Sequence, residues 1–173
     1  MHQIVISALG EDKPGIVKSL SKFVFDCGGN IAESHMSILG GEFALMMLVS
    51  GDDRTLDKIA SGIDGISDSL NLTTIVKRTS SVAGDNKARP YRIEIIAMDN
   101  PGIVHEVTDF LANYDINVQE LETDCYAAAH TGTPMFAPAI DVAIPVVVNI
   151  AEFRNSLNEF CDDMNLDVSL EAQ

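Results

Sequence analysis

Asp12-Lys13-Pro14-Gly15-Ile16-Val17 returns as Asp99-Asn100-Pro101-Gly102-Ile103-Val104, a shift of 87 positions. The same shift carries Asn30-Ile31 onto Asn117-Val118 and Glu33 onto Glu120. A loop motif and a second polar landmark kept at one fixed distance mark a duplicated domain. Both copies keep a turn that feeds the start of a helix.

Around that turn each copy reads the same way. Ile4 to Leu9 is a short apolar run, suited to a largely buried strand. After the turn, Ile16, Val17, Leu20, Phe23, Val24 and Cys27 form a helical stripe, matched by Ile103, Val104, Val107, Phe110, Leu111 and Tyr114. Pro14 and Pro101 suit a first helical turn, where no backbone N–H is missed. Gly28-Gly29 ends the first helix as a left-handed cap would, and Asp115 takes that place in the second copy. Ile31 to Leu39 and Glu42 to Ser50 are strand-like and joined by a Gly40-Gly41 hairpin turn. Their counterparts are Val118 to Tyr126 and Met135 to Ile144, with a longer connection from Ala127 to Pro134.

A second helix is expected around Thr55 to Ser61 and around Ile150 to Met164, with Asp53 and Asn149 as N-caps. Leu72 to Lys77 and Leu166 to Leu170 close the two units as strands. Thr79 to Arg89 is polar and small and reads as a flexible linker. The expected organisation is therefore a domain over 1–78, a linker over 79–89 and a second domain over 90–173. Strand, helix, strand, strand, helix, strand, twice over, is the split βαβ pattern of the ferredoxin-like sandwich. The fold class is α+β, with two helices on one face of each four-stranded antiparallel sheet. The uncovered faces and open edges invite pairing of the units, within a chain or in a homo-oligomer.

The chain has 173 residues and is 46% hydrophobic, which fits two small globular domains. Net charge is −15. Up to Arg92 there are ten Lys/Arg against eleven Asp/Glu; from Ile93 onward there are fifteen Asp/Glu and only Arg154. A nucleic-acid reader needs a basic face to displace phosphate counterions, so direct DNA binding is disfavoured. The acidic half is either a solvated surface or a face that steers a basic protein partner. No stretch has transmembrane length and the start lacks a leader pattern, so a cytoplasmic protein with reduced thiols is expected.

These residues resemble the ACT domain, a small-molecule-binding regulatory module. Its marks are a D-x-P-G loop between first strand and first helix, then a G-x-N-[IV] step into the second strand. Here they are Asp12-Lys13-Pro14-Gly15 with Gly28-Gly29-Asn30-Ile31, and Asp99-Asn100-Pro101-Gly102 with Asn117-Val118. The second copy has Ile116 before its Asn where the first has glycine. Ala8 to Val17, Cys27 to Ile31 and Leu39 to Phe43 are similar, more narrowly, to the glycine cleavage system transcriptional repressor family. That resemblance implies a non-enzymatic regulator that binds an amino acid, with glycine favoured. It would act through a separate DNA-binding activator rather than on DNA. The other reading of the same module is control of an amino-acid metabolic enzyme in trans.

The resemblance places the ligand at Asp12, Gly15, Ile16, Asn30 and Ile31, and at Asp99, Gly102, Ile103, Asn117 and Val118. A helix N-terminus offers unpaired N–H groups and partial positive charge to a carboxylate. Gly15 with Ile16, or Gly102 with Ile103, would supply those donors. Asp12 or Asp99 would accept from the ammonium, or simply close the turn. Asn30 or Asn117 offers both a donor and an acceptor. Glycine has about five non-hydrogen atoms, and tiny ligands gain at most roughly 1.5 kcal/mol per atom, so its dissociation constant is no tighter than a few micromolar.

No other chemistry competes. His2, His35, His105 and His130 are scattered, and Cys27, Cys125 and Cys161 have no metal-ligand spacing. Met135-Phe136 reads as strand filling. No nucleophile elbow or phosphate-binding glycine loop occurs, so neither catalysis, a cofactor nor a metal is expected.

Overall fold

Alternating apolar residues along the first strand need a cover, and the helical stripes provide it. The computed structural model describes residues 2–80 and 88–173. The chain divides into two compact units, Met1–Ala83 and Gly84–Gln173.

Unit 1 runs β1 (His2–Glu11), α1 (Ile16–Cys27), β2 (Asn30–Leu39), β3 (Glu42–Gly51), α2 (Asp53–Leu70) and β4 (Thr73–Thr79). Unit 2 repeats it as β5 (Ala88–Met98), α3 (Ile103–Asn113), β6 (Asn117–Ala127), β7 (Pro134–Pro145), α4 (Ile150–Asp163) and β8 (Asp167–Ala172). The sheets are antiparallel, ordered β2-β3-β1-β4 and β6-β7-β5-β8. The central strands are thus β1 with β3 and β5 with β7, as the ferredoxin-like reading requires. Thr79 falls within β4 and Ala88 and Arg89 within β5; residues 81–87 of the expected linker lie outside the described residues.

Each core follows the two periodicities. Ile4, Ile6 and Ala8 of β1 and Phe43, Leu45, Met47 and Val49 of β3 point to one face, where Ile16, Leu20, Val24, Leu56, Ile59 and Ile63 meet them. In unit 2, Ile93, Ile95, Ile140, Val142 and Ile144 meet Val107, Leu111, Phe153, Leu157 and Cys161. A second-unit aromatic group (Phe110, Tyr114, Phe153, Phe160) ties α3 to α4, with ring centroids 4.6 to 6.0 Å apart.

Three expectations change. The helix expected over Thr55 to Ser61 continues to Leu70, since Ile63 and partly buried Ile66 and Leu70 extend its buried stripe past Gly62 and Gly65. Its N-cap is Asp52, whose carboxylate accepts from the Thr55 N–H at 2.7 Å, and Asp53 is already helical. Pro14 and Pro101 stand before their helices: Gly15 (φ 96°, ψ −2°) and Gly102 (φ 99°, ψ −13°) are the caps. That glycine geometry, after a proline, is the third position of a type II turn, which a helical residue cannot occupy. Asn149 caps α4 as expected, accepting from Ala151 N–H at 3.0 Å. Gly28 is left-handed at φ 89°, and Asp115 takes the same conformation at φ 54°.

Candidate ligand loops

Each duplicated loop is anchored twice. The Asp12 N–H donates to the Gly41 carbonyl at 3.1 Å, tying the loop to the tip of the β2–β3 hairpin. Asp99 does the same to Pro134 at 3.1 Å, at the start of β7. The helix then begins: Ser19 N–H reaches the Gly15 carbonyl at 2.9 Å, and Glu106 N–H the Gly102 carbonyl at 3.0 Å. No side chain caps α1 or α3, whereas Asp52 and Asn149 cap α2 and α4. The first amides of α1 and α3 have no intrahelical acceptor by helix geometry. These two N-termini can therefore take a carboxylate from outside.

The ten residues expected at the sites divide into two groups. Asp12, Gly15 and Ile16 gather at the loop end of unit 1, and Asp99, Gly102 and Ile103 at that of unit 2. The Ile16 and Ile103 side chains are buried in the core, which leaves only their backbone for a ligand. Asn30 and Ile31 lie elsewhere. Asn30 pairs with Ser50 and β1 pairs its first residue with Gly51, while the loop leaves the other end, where Glu11 pairs with Glu42. Helix α1, 12 residues long, separates the two ends by about 18 Å at about 1.5 Å per residue. Asn117 and Val118 stand apart from Gly102 in the same way, paired with Ala143 and Val142. The Asn30 carbonyl accepts from Ser50 Oγ at 3.3 Å. One small ligand cannot touch a loop and the Asn of the same unit.

Unit 2 offers a cavity of about 440 Å³ at its loop, lined by Asn100, Gly102, Ile103, Val104, His105 and Phe136. In the sequence His105 is one of four scattered histidines and Met135-Phe136 reads as strand filling. Only the pairing of Phe136 with Ala97 in the β5–β7 register brings that ring to the loop, and no local motif announces it. The loops differ electrostatically too. Lys13 Nζ lies 2.8 Å from Glu11, first by hydrogen bonding and then by charge holding that carboxyl below its ordinary range. In unit 2, Asn100 stands in place of Lys13 and donates to the Met98 carbonyl at 3.4 Å.

Among the described residues no cluster of three metal-ligating side chains occurs, and no helix is long and apolar enough to cross a membrane. Cys161 is buried, Cys125 exposed and Cys27 intermediate.

Comparison with known proteins follows this geometry. The ACT domain family model matches residues 2–77. The glycine cleavage system transcriptional repressor of Escherichia coli K12 is 27% identical over 169 residues, spanning 98% of this chain and 89% of that protein. Its Shigella flexneri counterpart aligns equally. Among solved structures, an unknown protein from Galdieria sulphuraria superposes with TM-score 0.80 at 28% identity, over 99% of this chain and 98% of that one. A candidate glycine cleavage system transcriptional repressor superposes at 0.76 and 24% identity over 99% and 97%, a likeness of fold. The ACT domain family model thus covers nearly all of the first unit, the second unit repeats that fold and loop motif, and the chain is similar along nearly its whole length to the glycine cleavage system transcriptional repressor.

Proposed function

We propose that this chain is an amino-acid-responsive regulator without catalysis of its own, repressing glycine cleavage genes in the cytoplasm through a separate DNA-binding activator. The observation that carries the reading is the pair of helix N-termini left without side-chain caps behind glycine turns, at one register in both units. An α-amino acid suits them: its carboxylate takes the helix amides and positive end, and its ammonium has Asp12 or Asp99 nearby in the loop. Glycine is the ligand the family likeness favours. Asn30, Ile31, Asn117 and Val118 stay outside a loop site within their own unit.

The partner reading rests on charge. Strand register places Glu94, Glu120, Glu122, Asp124, Asp141, Asp167 and Glu171 on the face of unit 2 away from its helices, against a single Arg92. The matching face of unit 1 carries Ser7, Glu33, His35, Ser37, Leu48, Thr73 and Lys77. An acidic face of this kind favours encounter with a basic protein and repels phosphate.

A ligand changes partner affinity only through its preference for one state, and the coupling is reciprocal. Glycine should shift affinity for the activator by about five- to a hundred-fold, and the activator should shift glycine affinity by the same factor. Titration of glycine with and without the activator tests this. Equal affinities in both titrations would leave a scaffold, not a sensor.

A further inference from the structure

The two loops share a motif but not a floor. Phe43 pairs with Gly10 in unit 1, and Phe136 pairs with Ala97 in unit 2, positions one repeat apart. Phe43 is only 1% exposed and belongs to the core. Phe136 is partly buried, resting against the core on one side and lining the loop cavity on the other. Gly102, Ile103 and Val104, at the start of α3, line that cavity, and Phe136 brings an apolar wall from a different strand.

We infer that the unit 2 loop selects an α-amino acid with a sizeable apolar side chain, and that Phe136 is the residue setting that preference. This rests on the loops being amino-acid sites and adds which class of amino acid one of them takes. Glycine carries no side chain to cover the Val104 and Phe136 surfaces that line this open depression. An aliphatic or aromatic side chain, anchored by its carboxylate at the amides, projects along Val104 toward the ring and removes both surfaces from water. A few methylenes in an apolar pocket discriminate by one to two powers of ten. The unit 1 loop has no such ring to offer, because Phe43 is spent on the core.

The test uses the full chain and calorimetric titration with L-leucine, L-phenylalanine and glycine. Gly15→Asn and Gly102→Asn, each with its melting followed alongside, assign the loops, since Asn adds a side chain and tolerates positive φ better than other residues with a Cβ. The larger amino acids should bind wild type ten- to a hundred-fold more tightly than glycine does. That binding should survive Gly15→Asn and disappear in Gly102→Asn. Phe136→Ala should cut the preference to within about threefold, and Phe136→Leu should keep most of it. Glycine binding at the unit 2 loop as tightly as leucine overturns the inference while leaving the loops as amino-acid sites. A preference unchanged in a folded Phe136→Ala overturns it too. If no amino acid binds wild type, the reading beneath it fails as well.

Discussion

At Gly102 the backbone stands at φ 99°, where any side chain is strained even though nothing lies within 4 Å of an added Cβ. Gly102→Val would therefore lower stability and ligand binding together, and Gly102→Asn, which tolerates positive φ better, should lower stability less while still crowding the helix N-terminus. The other caps are ordinary and predict ordinary losses. Asn149→Ala removes the acceptor for Ala151 N–H and should cost about 1 kcal/mol, a fall of about 4–8 °C in the melting of unit 2. Asp52 is different because it titrates. Its hydrogen bond from Thr55 holds its carboxyl below the ordinary aspartate pKa of 3.8. Its contribution is therefore present above that value and lost as pH falls through the lowered one. An acid-unfolding profile of Asp52→Asn, which keeps a neutral cap, should lack that component. Cys161 titrates in the opposite sense. Burial first, then the neighbouring Asp162 charge, push its thiol up from 9.0 to about 11. The folded state holds that proton more tightly, so stability is full below about pH 9 and declines toward pH 11. Cys161→Ala should flatten that decline, and in the wild type a thiol reagent should label Cys125 long before Cys161.

At the scale of elements, strands and first helices were legible because alternation and the 3.6-residue stripe are local properties. Gly40-Gly41, at φ 62° and 89°, is a hairpin turn that the dipeptide itself announces. Helix α2 runs past the expected Ser61 although Gly62 and Gly65 have low helix propensity. The buried contacts of Ile63 and Ile66 outweigh that propensity. The two glycines nevertheless differ. A Cβ on Gly62 would meet the Phe23 ring at 3.1 Å, whereas nothing lies within 4 Å of one on Gly65. Gly65→Ala should therefore stabilise unit 1 by about 0.5–1 kcal/mol, and Gly62→Ala by less, as chemical denaturation of both variants would report. If Gly62→Ala gains as much, the α1–α2 contact there is looser than drawn.

At the scale of the molecule, duplication was visible in the sequence but the geometry of the site was not. A fixed shift of 87 kept both the loop and the Asn landmark in register, which suggested one constellation. Helix α1 carries the chain from one end of the sheet to the other before Asn30, so proximity in sequence becomes distance in space. Phe136 was hidden for the opposite reason: it is remote in sequence and is brought to its loop by sheet register. Charge was legible at once, and it predicts that the isolated chain shows no sub-micromolar, sequence-selective binding to duplex DNA near physiological salt. Fluorescence anisotropy with a labelled duplex checks this.

The central claim is that the duplicated turns are amino-acid sites. It is tested most directly by titrating glycine and L-leucine, separately, into the wild-type chain and into the Gly15→Asn/Gly102→Asn double variant, with melting followed in parallel. The account predicts binding to wild type, for glycine no tighter than a few micromolar, and its loss in a double variant that still melts cooperatively. Binding that persists undiminished in the folded double variant, or no heat with either amino acid in wild type, would contradict it.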